Sequence, residues 1–225
     1  MDKEQAFAFP RRTFVTTLVA GFALAAGPVR ADAIVTDASG LDAGEVSIPV
    51  ADGTIPAYRA RPANRAHAAV VLVVHEIFGV HEHIRDLCRR LAHRGYYAIA
   101  PSLYARQGDP GKYDMPHVMD LMKDVVAKVP DAQVMTDLDS TVVFAKAEGA
   151  DTAKLAITGF CWGGRVVWLY AAHNPAVKAG AAWYGPLAGA DGDLRPHTAI
   201  ELAGAVKAPV LGLYAGLDQN ITAQN

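Results

Sequence analysis

The chain has 225 residues, of which 21 are Lys or Arg and 23 are Asp or Glu, for a formal charge of -2; 52% of the residues are hydrophobic. That length and apolar fraction fit one globular domain and exclude a disordered chain. Two cysteines cannot build a disulfide framework, the near-neutral charge argues against nucleic acid as a partner, and no uninterrupted apolar run is long enough for a permanent membrane span.

Residues 1–33 read as an address. A polar start (Asp2, Lys3, Glu4) leads through Arg11-Arg12-Thr13-Phe14-Val15 into a short apolar run that ends in Ala31-Asp32-Ala33. A charged beginning, a short apolar centre and an A-x-A pattern make a secretory signal. The paired arginines before an aromatic residue resemble the twin-arginine export signal. The expectation is therefore a signal peptide over 1–33, cleaved after Ala33 or Ala31. The twin-arginine export machinery would be a partner, and residues 34–225 would form a periplasmic domain of charge about -3.

Past the leader, residues 44–50 and 54–60 alternate in hydropathy around Asp52-Gly53 and predict an antiparallel hairpin. Residues 68–74 form a continuous Val-rich run, the mark of a strand buried on both faces. Ile84, Leu87, Cys88 and Leu91 make a helical stripe over 85–93, which Gly95 ends. A second buried strand covers 96–100, and 101–113 reads as a loop. Helices are expected over 114–129 and 131–148, the latter capped by Asp131 after Pro130. Strands follow at 154–158, 177–184 and 209–214, with helices at 162–172 and near 198–206. Strands separated by helices predict an α/β fold with a mostly parallel, doubly wound sheet and helices on both faces. In such sheets ligands bind beyond the carboxyl ends of the strands.

Three strand ends carry chemistry. Gly159-Phe160-Cys161-Trp162-Gly163-Gly164 is a nucleophile elbow, G-x-S-x-G, with cysteine at the nucleophile. The helix that follows is expected to lower the thiol pKa and to stabilise an oxyanion through the Trp162 N–H. At 75–79, His75-Glu76-Ile77-Phe78-Gly79 puts Glu76 at a strand end, where it could hold or tune the thiol, with the Ile77 N–H as second oxyanion donor. At 214–218, Tyr214-Ala215-Gly216-Leu217-Asp218 puts an acid after the nucleophile in chain order, where this fold keeps its orienting carboxylate. A structural cysteine, a surface loop carboxylate and a turn-forming aspartate are the plainer readings of the same three.

Together, HEIFG at 75–79, Leu103-Tyr104-Ala105-Arg106-Gln107, GFCWGG at 159–164 and Trp183-Tyr184-Gly185 resemble the dienelactone hydrolase family of α/β-hydrolases over about residues 44–225. The resemblance implies an α/β-hydrolase fold that cleaves esters and enol-lactones, with no metal or organic cofactor. It implies Cys161 as nucleophile, Asp218 as the acid of a Cys–His–Asp triad, and Glu76 as the carboxylate that contacts the nucleophile and helps ionise it. Arg106 and Tyr184 would meet the substrate, a small ester or lactone and an anionic one if Arg106 holds its carboxylate.

The family's triad histidine lies well after the acid. All eight histidines here (His67, His75, His81, His83, His93, His117, His173 and His197) precede Asp218, and the chain stops at Asn225. The expectation is a domain lacking its last strand and helix, either a fragment of a longer hydrolase or a catalytically impaired chain. A non-catalytic binding protein on the same fold is the rival reading. A zinc hydrolase using His75, His81 and His83 is a minor one. Cys88 sits on the helical stripe and reads as a core residue.

Overall fold

The structure is a computed structural model and describes residues 34–189, 192–218 and 221. The expected leader, 1–33, lies outside the described residues. Seven strands form one sheet: β1 (Leu41–Val50), β2 (Gly53–Pro62), β3 (Ala69–Val74), β4 (Tyr97–Pro101), β5 (Asp151–Phe160), β6 (Val177–Trp183) and β7 (Val210–Leu213), in the order β1-β2-β4-β3-β5-β6-β7. The predicted hairpin is the antiparallel edge, with β2 also antiparallel to β4. From β4 to β7 every pairing is parallel.

The continuous apolar run of β3 follows from its place in the sheet. Val70, Leu72 and Val74 enter the larger core, while Val71 and Val73 enter the smaller one on the opposite face. A strand with two dry faces has no reason to alternate. On the smaller-core face lies α1 (Glu82–His93), which supplies Ile84, Cys88 and Ala92. Three further helices are α2 (Val118–Asp124), α3 (Asp131–Ala147) and α4 (Trp162–His173). Val134 and Leu138 of α3 and Val166 and Tyr170 of α4 enter the larger core. Among the described residues no helix is long and apolar enough to cross a membrane.

This order creates a switch point. From β3 the chain crosses by α1 to β4 on one side, and from β5 it crosses by α4 to β6 on the other. The crossover connections diverge above the carboxyl ends of β3 and β5, leaving the crevice where open α/β sheets bind ligands.

Three sequence expectations need correction. The helix expected over 114–129 is broken into the tight turn Met115–His117, α2, and the turn Val126–Lys128. Pro116 confines the first turn, and the break at Val125 lets Val125, Val126 and Val129 all reach the core. The helix expected near 198–206 is only the turn Ala203–Ala205. Asp131 does not cap α3. Pro130 occupies the cap position, and the Asp131 carboxylate accepts two hydrogen bonds from Arg165 of α4, at 2.7 and 2.8 Å.

That correction is testable. Arg165 is 4% exposed and also donates to the His197 carbonyl at 2.8 Å. Asp131→Ala strands a buried guanidinium and is expected to cost about 3–5 kcal/mol in urea unfolding. A loss near 1 kcal/mol, the usual worth of a helix cap, would return Asp131 to a capping role.

Candidate active site

The elbow is built by close approach. Cys161 joins β5 to α4 with φ 53° and ψ -118°, a region non-glycine residues rarely enter and one that costs on the order of 1–3 kcal/mol. Two glycines make the turn possible. A Cβ on Gly163 would lie 2.5 Å from the carbonyl oxygens of both Val74 and His75, and one on Gly159 would lie 2.4 Å from the Gly163 carbonyl oxygen. The start of α4 thus rests against the end of β3, and His75 and Glu76 come to lie beside Trp162 and Cys161. The Cys161 N–H donates to the Trp183 carbonyl at 2.9 Å, tying the elbow to β6.

The thiol is a neutral group here. Burial pushes its pKa up to about 12; a hydrogen bond from the Trp162 N–H pulls the other way, and the charges of Glu76 and Asp218 add to the rise. This corrects the expectation of a helix-lowered thiol pKa, because the helix end does act on the sulfur but desolvation outweighs it. Glu76 cannot ionise the thiol by its charge, which opposes a thiolate. It can do so only by taking the proton.

Glu76 is suited to that. Burial pushes its carboxyl up, but a hydrogen bond from His81 and that ring's charge bring it below its ordinary value. Its Oε1 is bound by His81 Nε2, while Oε2 is buried with no hydrogen-bond partner among the described residues. Ile77 is 7% exposed, and its N–H makes no backbone hydrogen bond among the described residues. Tyr184, also at positive φ (40°), lies close enough for the charges of Cys161 and Glu76 to act on its hydroxyl, which burial pushes up to about 12. Asp218 accepts the Ile221 N–H at 3.1 Å. The structure therefore gathers Cys161, Trp162, Glu76, Tyr184 and Asp218 at one place, with Ile77 next to Glu76 in the chain.

It does not bring Arg106 to them. The Arg106 fork is filled by Asp52, at 2.6 to 2.9 Å, and by Asp137, at 2.8 and 3.0 Å. These partners come from the β1–β2 turn and from α3, far apart in sequence, so a sequence reading could see only a loop arginine.

The histidines have other employment. His75 is fully buried; its Nδ1 lies 2.6 Å from the Glu76 carbonyl and its Nε2 accepts the Leu103 N–H at 3.3 Å. Both ring nitrogens are used, the ring stacks on Trp162 with centroids 5.6 Å apart, and burial lowers its pKa. His75 is thus a neutral structural ring and not a base. His81 is bound to Glu76, and the described residues contain no group of three side chains able to hold a metal, which removes the His75/His81/His83 zinc reading. Among the described residues no histidine hydrogen-bonds Cys161. Cys88 is buried and its thiol pKa is raised by burial. Sequence reasoning names His81 only as a zinc candidate and misses its pairing with Glu76, whose only signal is a spacing of five.

Comparison with known proteins shows the family and the fold. Residues 55–225 match the profile of the Dienelactone hydrolase family. The chain is 61% identical over 214 residues to a Methylorubrum extorquens protein named "Putative carboxymethylenebutenolidase", covering 94% of this chain and 73% of that protein. An Escherichia coli O157:H7 protein of the same name is 52% identical over 207 residues, covering 92% and 76%. A solved structure from Klebsiella pneumoniae, described as a "Putative Dienelactone Hydrolase", superimposes with a TM-score of 0.78 at 55% identity, covering 82% of this chain and 76% of that one.

The pairing of Arg106 yields a second prediction. Asp137 is 1% exposed, and burial pushes its carboxyl up even with Arg106 beside it. Arg106→Ala is expected to lower unfolding free energy by about 3–5 kcal/mol, because it leaves that carboxylate without its partner. An unchanged denaturant midpoint together with a raised KM for an anionic ester would assign Arg106 to the substrate instead.

Proposed function

As the chain belongs to the dienelactone hydrolase family, we propose that it hydrolyses small esters or enol-lactones through Cys161 as a covalent nucleophile. The observation that carries this reading is the strained, glycine-flanked position of Cys161 at the switch point, with a buried carboxylate oxygen of Glu76 in its field that has no hydrogen-bond partner among the described residues. A structural cysteine would need neither the strain nor the neighbour.

In this reading the Cys161 proton passes to Glu76 as the sulfur attacks the carbonyl carbon. The carbonyl electrons move onto oxygen, where the Ile77 and Trp162 N–H groups receive the charge. Collapse expels the alkoxide or enolate, which takes the proton from Glu76. Water then attacks the thioester with Glu76 again as base, and the released thiolate is reprotonated as the carboxylic acid departs. Glu76 must be ionised before the thiol is, which its lowered pKa and the raised pKa of Cys161 provide. Tyr184 borders the acyl group, and Asp218 is the second carboxylate near the sulfur, in the position of the family's triad acid. Arg106 has a structural part. An enol-lactone suits a weak base of this kind, since its leaving enolate needs little proton assistance. The leader-like segment 1–33 supports a periplasmic site of action.

Cys161→Ala is expected to lower hydrolysis of p-nitrophenyl acetate, or of an enol-lactone, by about three orders of magnitude or more. A variant that retained the parent rate would remove Cys161 from the chemistry. A parent chain with no hydrolysis of either compound would favour the binding-protein reading.

A further inference from the structure

One side chain bound to Glu76 has no part in the steps above. His81 occupies the cap position of α1 in extended backbone, with φ -89° and ψ -178°, yet its ring makes no bond to that helix. The loop folds it back instead. Gly79 takes φ 75°, its N–H reaches the Glu76 carbonyl at 3.4 Å, and the His81 N–H reaches the Gly79 carbonyl at 3.0 Å. This reversal sets His81 Nε2 against Glu76 Oε1. The side chain of His81 is 37% exposed and that of Glu76 10%, so the pair runs from solvent to the buried carboxylate.

The chemistry of the contact fixes its direction. An ionised carboxylate only accepts, so Nε2 carries the hydrogen and His81 donates. With Oε1 so occupied, Oε2 is the oxygen left open, and it is the one buried without a partner among the described residues. An ionised carboxylate in so dry a place is costly unless a donor holds it.

We propose that His81 is a positioning residue, which donates Nε2–H to Oε1 to keep Glu76 ionised and leaves Oε2 as the acceptor for the Cys161 proton. The inference rests on the Cys161–Glu76 chemistry proposed above. In the step it supports, the S–H bond breaks, an O–H bond forms on Oε2, and the freed sulfur pair attacks the carbonyl carbon. The other titratable groups around Glu76 do not do this work. His75 lies at the Glu76 backbone carbonyl, and Tyr104 and Tyr184 stay protonated because burial raises both hydroxyls. Cys161 is neutral for the same reason, and its field also includes Asp218. His83 lies against the His81 ring at 6.2 Å. Among the described residues His81 is the side chain that hydrogen-bonds the carboxylate, and the N–H of Glu76 itself also lowers it.

The sign of the pH effect follows. His81 holds the Glu76 carboxyl low, and burial alone would raise it, so removing His81 moves the loss of base function to higher pH. The test is the rate of Cys161 acetylation by p-nitrophenyl acetate, in which Glu76 takes the proton as the sulfur attacks, followed by peptide mass spectrometry between pH 5.5 and 7.5, in the full chain and in His81→Ala and His81→Gln. The parent rate should change little over that range. The Ala variant should fall by about fivefold or more toward pH 5.5, and Gln, which can still donate an N–H to Oε1, should recover at least half of the lost rate. In a Glu76→Gln background, His81→Ala should change nothing further. An Ala profile that superimposes on the parent, a Gln variant no better than Ala, or a full His81→Ala effect without Glu76 would overturn the inference. A parent chain in which Cys161 reacts no faster than Cys88 at any pH would instead overturn the nucleophile reading on which it rests.

Discussion

The contact on which the site depends is the one between the first turn of α4 and the end of β3. Gly163 sits so close to the Val74 and His75 carbonyls that no side chain fits between them. That contact brings Glu76 into the field of the Cys161 sulfur, although 85 positions separate them in the chain. It also explains why Cys161 accepts a backbone conformation that costs free energy: the strand before it and the helix after it are fixed by packing on both sides, and the turn absorbs the difference.

The same compactness sets the electrostatics. Burial that excludes water from the elbow also removes the solvation a thiolate needs, and it outweighs the partial charge of the helix end. The resting site is therefore a neutral thiol near a carboxylate held below its ordinary pKa.

Much of this is legible in the sequence, and what is not has a common cause. The Val-rich run of β3, the hairpin around Asp52-Gly53 and the elbow at 159–164 are local patterns, and each is found where the pattern puts it. The parallel sheet follows from the alternation of strands and helices. The family belongs to motifs at 75–79 and 159–164, and the match over 55–225 bears it out. Charged side chains with distant partners were read less well. Asp131 looks like a helix cap until Arg165 is seen 34 residues away, and Arg106 looks available until Asp52 and Asp137 fill its fork. The broken helix over 114–129 reflects a demand of the core for three valines that no periodicity expresses. The Glu76 contact of His81 is hidden for a different reason: a histidine at a helix start is usually solvated, and the reversal at Gly79 turns this one onto Glu76.

The central claim is that an acyl group passes through one particular sulfur. Mixing the chain with p-nitrophenyl acetate, quenching in acid and sequencing the peptides by mass spectrometry tests it directly. An acetyl group on Cys161 that forms within the first turnover and disappears at the rate of product release is the expected result. Hydrolysis that proceeds with Cys161 unmodified throughout, or with acetyl only on Cys88 or another side chain, would contradict it.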